Sequence, residues 1–245
     1  LAAGLAMDGR QTFIYGIAAH IGTRAYEQIR LDVAASSLPV CVLAMGGGLS
    51  YGNDGPTHLT THDIGSMRAI PGLTVFNPSD GPLLEASVVH AWRNGSPYYI
   101  RIDKEPVPAH YQAGMDLSSG WHMLRNGTDA CIIATGVLVH RALAVAESLM
   151  AEGLSVGVVD LYRPVPFPCD VVPGAGPVGC LVALEEQGSG GIGTMIGEQL
   201  AADCSGVKFI CLRLPDEIPL GSTTRNWFHP LSGLEKADIE NSIRN

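Results

Sequence analysis

Asp54 and His58 are the residues of this chain whose types and spacing are best suited to catalysis. They lie four positions apart and bracket Gly55-Pro56, which restricts the backbone of a turn. A carboxylate and an imidazole held on a rigid loop can orient a substrate and move a proton near neutral pH. The alternative is a structural turn with two solvated side chains, because glycine-rich loops after strands are common.

The loop that carries this pair follows a strand pattern. Residues 38–45 are mostly apolar, with β-branched residues among them, which predicts a buried strand. The run Gly46-Gly47-Gly48 comes next, and glycine lets the backbone take positive φ values and approach a ligand closely. Ligands of open α/β sheets bind at the carboxyl ends of the strands. The sequence therefore predicts a ligand site at this loop.

Composition excludes several classes of partner. The chain has 245 residues, of which 46% are hydrophobic and only 16% charged, as in a folded protein with a large core. A net charge of −9 with only 15 Lys and Arg argues against nucleic acid, although a small positive pocket for a phosphate remains compatible. No apolar run reaches the roughly 18 residues that cross a membrane. The six cysteines show no metal spacing, which predicts free thiols in the cytoplasm.

Alternating strand and helix patterns predict an α/β protein with two doubly wound domains. The prolines and glycines of residues 103–125 interrupt this alternation, so we assign residues 1–112 to the first domain, residues 113–125 to a linker, and residues 126–245 to the second domain. Strands are predicted at 12–17, 38–45, 73–76, 98–102, 128–134, 156–160, 180–184 and 208–212. Helices are predicted at 23–35, 62–69, 80–93, 137–152 and 194–202.

Two other motifs admit different interpretations. Residues 188–193 fit the Gly-x-Gly-x-x-Gly pattern of dinucleotide sites, but Glu185 and Glu186 would repel a pyrophosphate there, so a structural turn is favoured. His58 and His62 have the i, i+4 spacing of metal ligands. No third ligand is obvious, and we predict no metal site in this chain.

Several segments, in order along the chain, share their residue types with one family. Residues 54–58 read Asp-Gly-Pro-Thr-His, and residues 24–28 read Arg-Ala-Tyr-Glu-Gln. Residues 67–71 read Met-Arg-Ala-Ile-Pro, and residues 75–80 form a strand followed by Asn-Pro-Ser-Asp. In these motifs the first half resembles the pyrimidine-binding domain of the transketolase family. The second half is similar to the family's C-terminal domain, so the resemblance covers nearly the whole chain.

The resemblance implies a thiamine diphosphate cofactor, bound between domains of different subunits. In this family the diphosphate and Mg²⁺ belong to a separate domain with a Gly-Asp-Gly motif, which this chain lacks. The chain would then be the small subunit of a split, cytoplasmic enzyme, with a large partner subunit in an α2β2 assembly. Its expected reaction transfers a two-carbon ketol unit between sugar or sugar phosphate substrates.

Roles for individual residues also follow from the resemblance. His58 is expected to exchange a proton with the donor's oxygen, and Asp54 to hold a substrate hydroxyl. Arg101 and Lys104 flank the end of a predicted strand, where cations suit a phosphate or carboxylate. Lys104 is the closest match to the family's phosphate-binding arginine.

Departures from the family pattern concern the cofactor side. Ile17 and His20 stand where aromatic residues usually wall the aminopyrimidine, and Gly46 stands where transketolase proper has a substrate-binding histidine. We assign these three residues to the cofactor side of the site. The family's activating glutamate would precede Leu1, and we expect it in a segment before this residue.

Two alternatives to a transketolase remain open. One is a subunit similar to deoxyxylulose-phosphate synthase or to the beta chain of a 2-oxo acid dehydrogenase, which would use a 2-oxo acid donor. The other is a non-catalytic scaffold subunit that has lost the activating glutamate.

Overall fold

Buried apolar strands form two separate sheets, which confirms the predicted pair of α/β domains. The computed structural model describes residues 1–217, 220–222 and 224–245. In the first sheet all strands are parallel and follow the order β1-β2-β4-β3. The strands are β1 (Thr12–Ile17), β2 (Val40–Met45), β3 (Thr74–Phe76) and β4 (Tyr98–Ile102).

Helices cover this sheet and connect its strands. They are α1 (Ala2–Met7), α2 (Ala18–Arg24), α3 (Tyr26–Gln28), a π-helical segment (Ile29–Ala34), α4 (Asp63–Met67) and α5 (Gly81–Asn94). The sequence predicted a single helix at 23–35, whereas α2 begins at Ala18 and the path continues as separate short segments. Gly22 allows α2 to pass close to the buried Tyr99 hydroxyl, so this helix packs directly on the sheet.

The second sheet has the order β5-β7-β6-β8-β9, with β5 antiparallel at the edge. Its strands are β5 (His122–Arg125), β6 (Ala130–Ala134), β7 (Val156–Asp160), β8 (Cys180–Leu184) and β9 (Lys208–Leu212). Its helices are α6 (Leu138–Ala151), α7 (Val171–Gly174), α8 (Ile192–Ala202), α9 (Arg225–Leu231) and α10 (Lys236–Arg244). Every residue of β6, β7 and β8 is buried, as expected for strands with helices on both faces.

The segment between the two sheets packs against both domains. Leu117 joins the apolar cluster around Phe76 and Tyr162, and the Tyr111 hydroxyl donates to Asp160 at 3.0 Å. Strand β5 lies within the predicted linker, so the boundary at 113–125 stays a prediction. No helix in the described ranges is long and apolar enough to cross a membrane.

A buried carboxylate joins the two domains. Glu186, just after β8, accepts hydrogen bonds from the backbone N–H of Leu49 at 3.1 Å and from Arg225 Nη2 at 3.0 Å. His229 Nε2 lies 2.5 Å from its other oxygen. Burial by itself raises the pKa of Glu186, but Arg225 and His229 outweigh burial and lower that pKa to about 2. Glu186 is therefore ionised and fully paired.

A second carboxylate, Asp160 at the end of β7, lies at the same junction. It accepts hydrogen bonds from Ser79 at 2.5 Å and from Tyr111 at 3.0 Å, while its other oxygen is buried without a partner among the described residues. Burial, only partly offset by these donors, raises the pKa of Asp160 to about 7. Its neighbour Asp80 caps α5 through the Leu83 N–H at 2.9 Å.

Replacing Arg225 by methionine is expected to lower the free energy of unfolding by about 3–5 kcal/mol, because Glu186 would stay buried without its cation. The matched control is Arg213→Met, which removes a partly exposed pair with Asp216 and a hydrogen bond to the adjacent carbonyl of Leu214, and should change stability by less than about 1 kcal/mol. Urea unfolding followed by circular dichroism measures both losses. Equal losses in the two variants would contradict a special role for the buried pair.

Stability should also depend on pH through Asp160. Its folded pKa, about 7, lies above the value of about 4 in an unfolded chain, so the folded state retains a proton that the unfolded state has lost. This contribution is fully present below pH 4 and is lost as the pH rises to about 7. The free energy of unfolding, measured with urea at pH 5 and at pH 8, should differ less between the two pH values for Asp160→Asn than for the wild type. An unchanged difference would exclude Asp160 as its source.

Candidate active site

The glycine loop is fixed at both ends. Its first residue, Gly46, donates its N–H to the carbonyl of Ile102 at the end of β4, at 2.6 Å. Gly48 and Thr60 then exchange two backbone hydrogen bonds, of 3.0 and 3.1 Å. The loop between them carries Asp54 and His58, so both predicted catalytic residues lie on a closed loop at the carboxyl edge of the first sheet.

Two glycines of the loop are required by what packs against them. Gly46 has a φ of +87°, and a Cβ there would overlap the ring of Tyr51. Gly48 has a φ of +61°, and its Cβ would lie 2.5 Å from a carboxylate oxygen of Glu186. The loop backbone therefore packs closely against the Tyr51 ring at Gly46 and against Glu186, at the domain junction, at Gly48.

Four side chains gather beside this loop and are called the loop cluster: His20, Tyr51, His58 and Lys104. The ring centroid of His58 lies 4.9 Å from that of His20 and 5.9 Å from that of Tyr51. Lys104 Nζ lies 4.1 Å from the centre of the Tyr51 ring. The structure therefore brings together three residues that the sequence analysis named, and adds Tyr51, which it missed.

His58 is oriented by its own neighbour. Thr57 Oγ1 lies 2.8 Å from His58 Nδ1, and the backbone N–H of His58 donates to the carbonyl of Gly55 at 3.0 Å. These contacts fix the imidazole on the loop and leave Nε2 as the atom that can meet a substrate. Half-buried His58 is thus suited to proton transfer.

Asp54 ends a short 3₁₀ turn, Gly52–Asp54, and its side chain is exposed. Burial, and then the nearby Tyr15 and Asp54, raise the pKa of Tyr51, so this phenol stays protonated at neutral pH. The backbone N–H of Asp54 donates to the carbonyl of Tyr51 at 2.9 Å, so Asp54 lies on the same turn as this member of the loop cluster. In that position Asp54 can accept a hydrogen bond from a ligand hydroxyl.

Of the three residues predicted for the cofactor side, Gly46 follows β2, and the other two lie at the end of β1. Ile17 is the last residue of that strand and is half-buried, and His20 follows in the first turn of α2. Tyr15, two residues before Ile17 on the strand, is 67% exposed. Its large aromatic face could stack on a heteroaromatic ring, a feature that the sequence analysis overlooked.

Arg101 does not join the loop cluster. Its side chain is 4% exposed and pairs with Asp63 at 3.1 Å, and its Nη2 donates to the carbonyl oxygens of Thr60 at 2.9 Å and of Glu186 at 3.1 Å. These contacts favour a structural role between the domains. A substrate contact by Arg101 stays a prediction, while Lys104 is exposed.

The N–H groups of the glycine motif at 188–193 are bound by a side chain of this chain. The carboxylate of Glu185 accepts the N–H groups of Ile192 and Gly193, each at 2.8 Å, at the start of α8. Burial raises the pKa of Glu185 to about 7, but its carboxyl group already accepts the N–H groups at the helix end where a pyrophosphate would bind, which favours the structural turn. His62 is exposed, and the described ranges contain no group of three or more potential metal ligands that includes it.

Comparison with known proteins gives matches along both halves of the chain. Residues 1–109 match the model of the transketolase pyrimidine binding domain, and residues 119–239 match that of the transketolase C-terminal domain. The chain is 31% identical over 243 residues to an apulose-4-phosphate transketolase subunit from Phocaeicola vulgatus, covering 98% of this chain and 77% of that protein.

Two further relatives differ in length. The 6-deoxy-6-sulfo-D-fructose transketolase subunit SqwH of Clostridium sp. is 32% identical over 83% of this chain, which spans 64% of that protein. The 1-deoxy-D-xylulose-5-phosphate synthase of Synechococcus sp. is 33% identical, and the chain spans only 38% of its length.

A solved structure described as a split gene transketolase, inactive beta4 tetramer, has the same fold. Its TM-score is 0.89 at 28% identity, over 99% of this chain and 78% of that chain. The transketolase mutant of Pichia stipitis, at 18% identity and a TM-score of 0.78, shares the fold over 33% of its own chain. With two family domains in order and a relative that aligns over most of its length, this chain belongs to the transketolase family.

Proposed function

We propose that this chain is the small subunit of a split transketolase, active with a large partner subunit. Two relatives are named as subunits of transketolases, and the similar solved structure is described as an inactive beta4 tetramer, which supports a need for a partner. The observation that carries the proposal is the loop cluster beside Asp54, at the carboxyl edge of the sheet. The partner would hold the diphosphate and Mg²⁺, in an α2β2 assembly.

The cofactor side of the proposed site is aromatic and apolar. Tyr15, Ile17 and His20 lie on β1 and α2, and the exposed face of Tyr15 fits the stacking of an aminopyrimidine ring. When bound, thiamine diphosphate supplies the carbanion chemistry by which the C2–C3 bond of a ketose is broken. The residues of this chain position the ring and the sugar against each other.

On the substrate side, His58 Nε2 donates a proton to the carbonyl oxygen of the donor, or removes it again. Thr57 at Nδ1 keeps the imidazole in the orientation that this transfer requires. Asp54 accepts a hydrogen bond from a hydroxyl of the sugar, and the ammonium of Lys104 meets an anionic end. One relative is named for a sulfo sugar and another for a phosphate sugar, which supports an anionic substrate.

A 2-oxo acid donor is the second candidate, since the whole of this chain also aligns with part of 1-deoxy-D-xylulose-5-phosphate synthase. Offering pyruvate and a ketose phosphate to the complex in parallel separates the two reactions. The cysteines in the described residues are free thiols, which supports the proposed cytoplasmic setting.

The complex should bind thiamine diphosphate where the single chain does not. Calorimetric titration with thiamine diphosphate and Mg²⁺ is expected to give saturable binding to the co-purified two-subunit complex, and none to this subunit alone. The reason is that the proposed site is divided between two chains. Binding by the isolated subunit, or none by a folded complex, would contradict the proposal.

Replacing His58 by glutamine should lower kcat by about 10²–10⁴-fold, because a positioned general acid contributes this much. The control His62→Gln removes an exposed imidazole four residues away, outside the loop cluster, and should stay within about twofold of the wild type. Steady-state assays of the two-subunit complex with a ketose donor measure both. A similar loss in both variants would point to the loop fold instead of proton transfer.

A further inference from the structure

Tyr51 contacts three parts of the site at once. Its ring covers Gly46 at the end of β2, so that any side chain at position 46 would overlap it. It lies against the His58 ring at an interplanar angle of 57°. Its face lies beneath the ammonium of Lys104, 4.1 Å from the ring centre. A single side chain thus connects the glycine run, the imidazole and the exposed cation.

The neighbours of Lys104 in the sequence are directed elsewhere. Asp103 and Glu105 both pair with Arg225, at 2.5 and 2.8 Å, on the side of the domain junction. Lys104 projects over Tyr51 instead and takes part in none of the ion pairs within 4.0 Å among the described residues. Arg225 thus engages the adjacent carboxylates, which could otherwise pair with the ammonium.

An aromatic face holds a cation without neutralising it. A carboxylate in the place of Tyr51 would form an ion pair with Lys104 and compete with an anionic ligand. The ring quadrupole attracts the ammonium and leaves its N–H donors available to a ligand. At an exposed site this attraction favours the held position by about two- to fivefold.

We propose that Tyr51 is a positioning residue that sets the preference of the site for substrates with a terminal anionic group. It acts through Lys104, by holding the ammonium at the mouth of the site, and it takes the space that a side chain at position 46 would fill. This inference rests on the proposed function, because it concerns the substrate class of that same site.

The test compares one ketose with and without a terminal phosphate, D-xylulose 5-phosphate and D-xylulose, in the two-subunit complex. The readout is selectivity, the ratio of kcat/KM for the phosphate ester to kcat/KM for the free sugar. Tyr51→Leu should lower this ratio about two- to fivefold through loss of the cation–π contact, whereas Tyr51→Phe should keep it.

Lys104→Met should lower the ratio about fivefold, and adding Tyr51→Leu to it should have little further effect. Lys208→Met, an exposed lysine at the start of β9, serves as the control.

Each outcome has a distinct meaning. Equal losses of kcat/KM for both sugars in Tyr51→Leu would leave the ratio unchanged and overturn the inference, because that pattern belongs to a purely structural residue. Independent, multiplicative effects of Tyr51→Leu and Lys104→Met would overturn it as well, since Tyr51 would then not act through Lys104. If the wild-type complex turns over neither sugar, the proposed function itself fails, and the inference fails with it.

Discussion

Burial of the Glu186 carboxylate is the interaction on which the rest of this structure depends. Removing a carboxylate from water costs free energy, which hydrogen bonds and opposite charges must offset. For Glu186, which is 3% exposed, Arg225, His229 and the N–H of Leu49 provide them. Glu186 and its two side-chain partners belong to the second domain, whereas Leu49 belongs to the glycine loop of the first. The geometry of the loop is therefore set by the electrostatic requirements of a residue in another domain.

Neighbouring glycines of residues 46–48 contact two different parts of the molecule, the domain junction and the loop cluster. Gly48 faces Glu186 and the junction, while Gly46 faces Tyr51 and the loop cluster. A Cβ at either position would displace one of these partners, so substrate-side and domain-side packing are coupled through a short piece of backbone. This coupling explains how Asp54 and His58 can be held on a loop without being buried themselves.

Sequence patterns predicted the two sheets and most strands, because buried parallel strands are continuous apolar runs such as 130–134. They also named His20, His58 and Lys104, which the fold brings together. Tyr51 escaped notice because its contacts with Gly46 and Lys104 depend on loop conformation, which has no periodicity. The burial of Arg101 could not be predicted from the sequence either, since its partners lie 38 to 86 positions away in the chain.

Charge distribution along residues 103–105 shows how one segment serves both domains. Asp103 and Glu105 stabilise Arg225, which in turn keeps Glu186 ionised, while the intervening Lys104 remains over Tyr51. If those carboxylates were not paired with Arg225, they would lie close to Lys104 and weaken its attraction for an anion. The ion network at the junction therefore does more than join the domains. It engages the two neighbouring carboxylates, so that in a protein with a net charge of −9 the ammonium of Lys104 still has donors available to an anionic substrate.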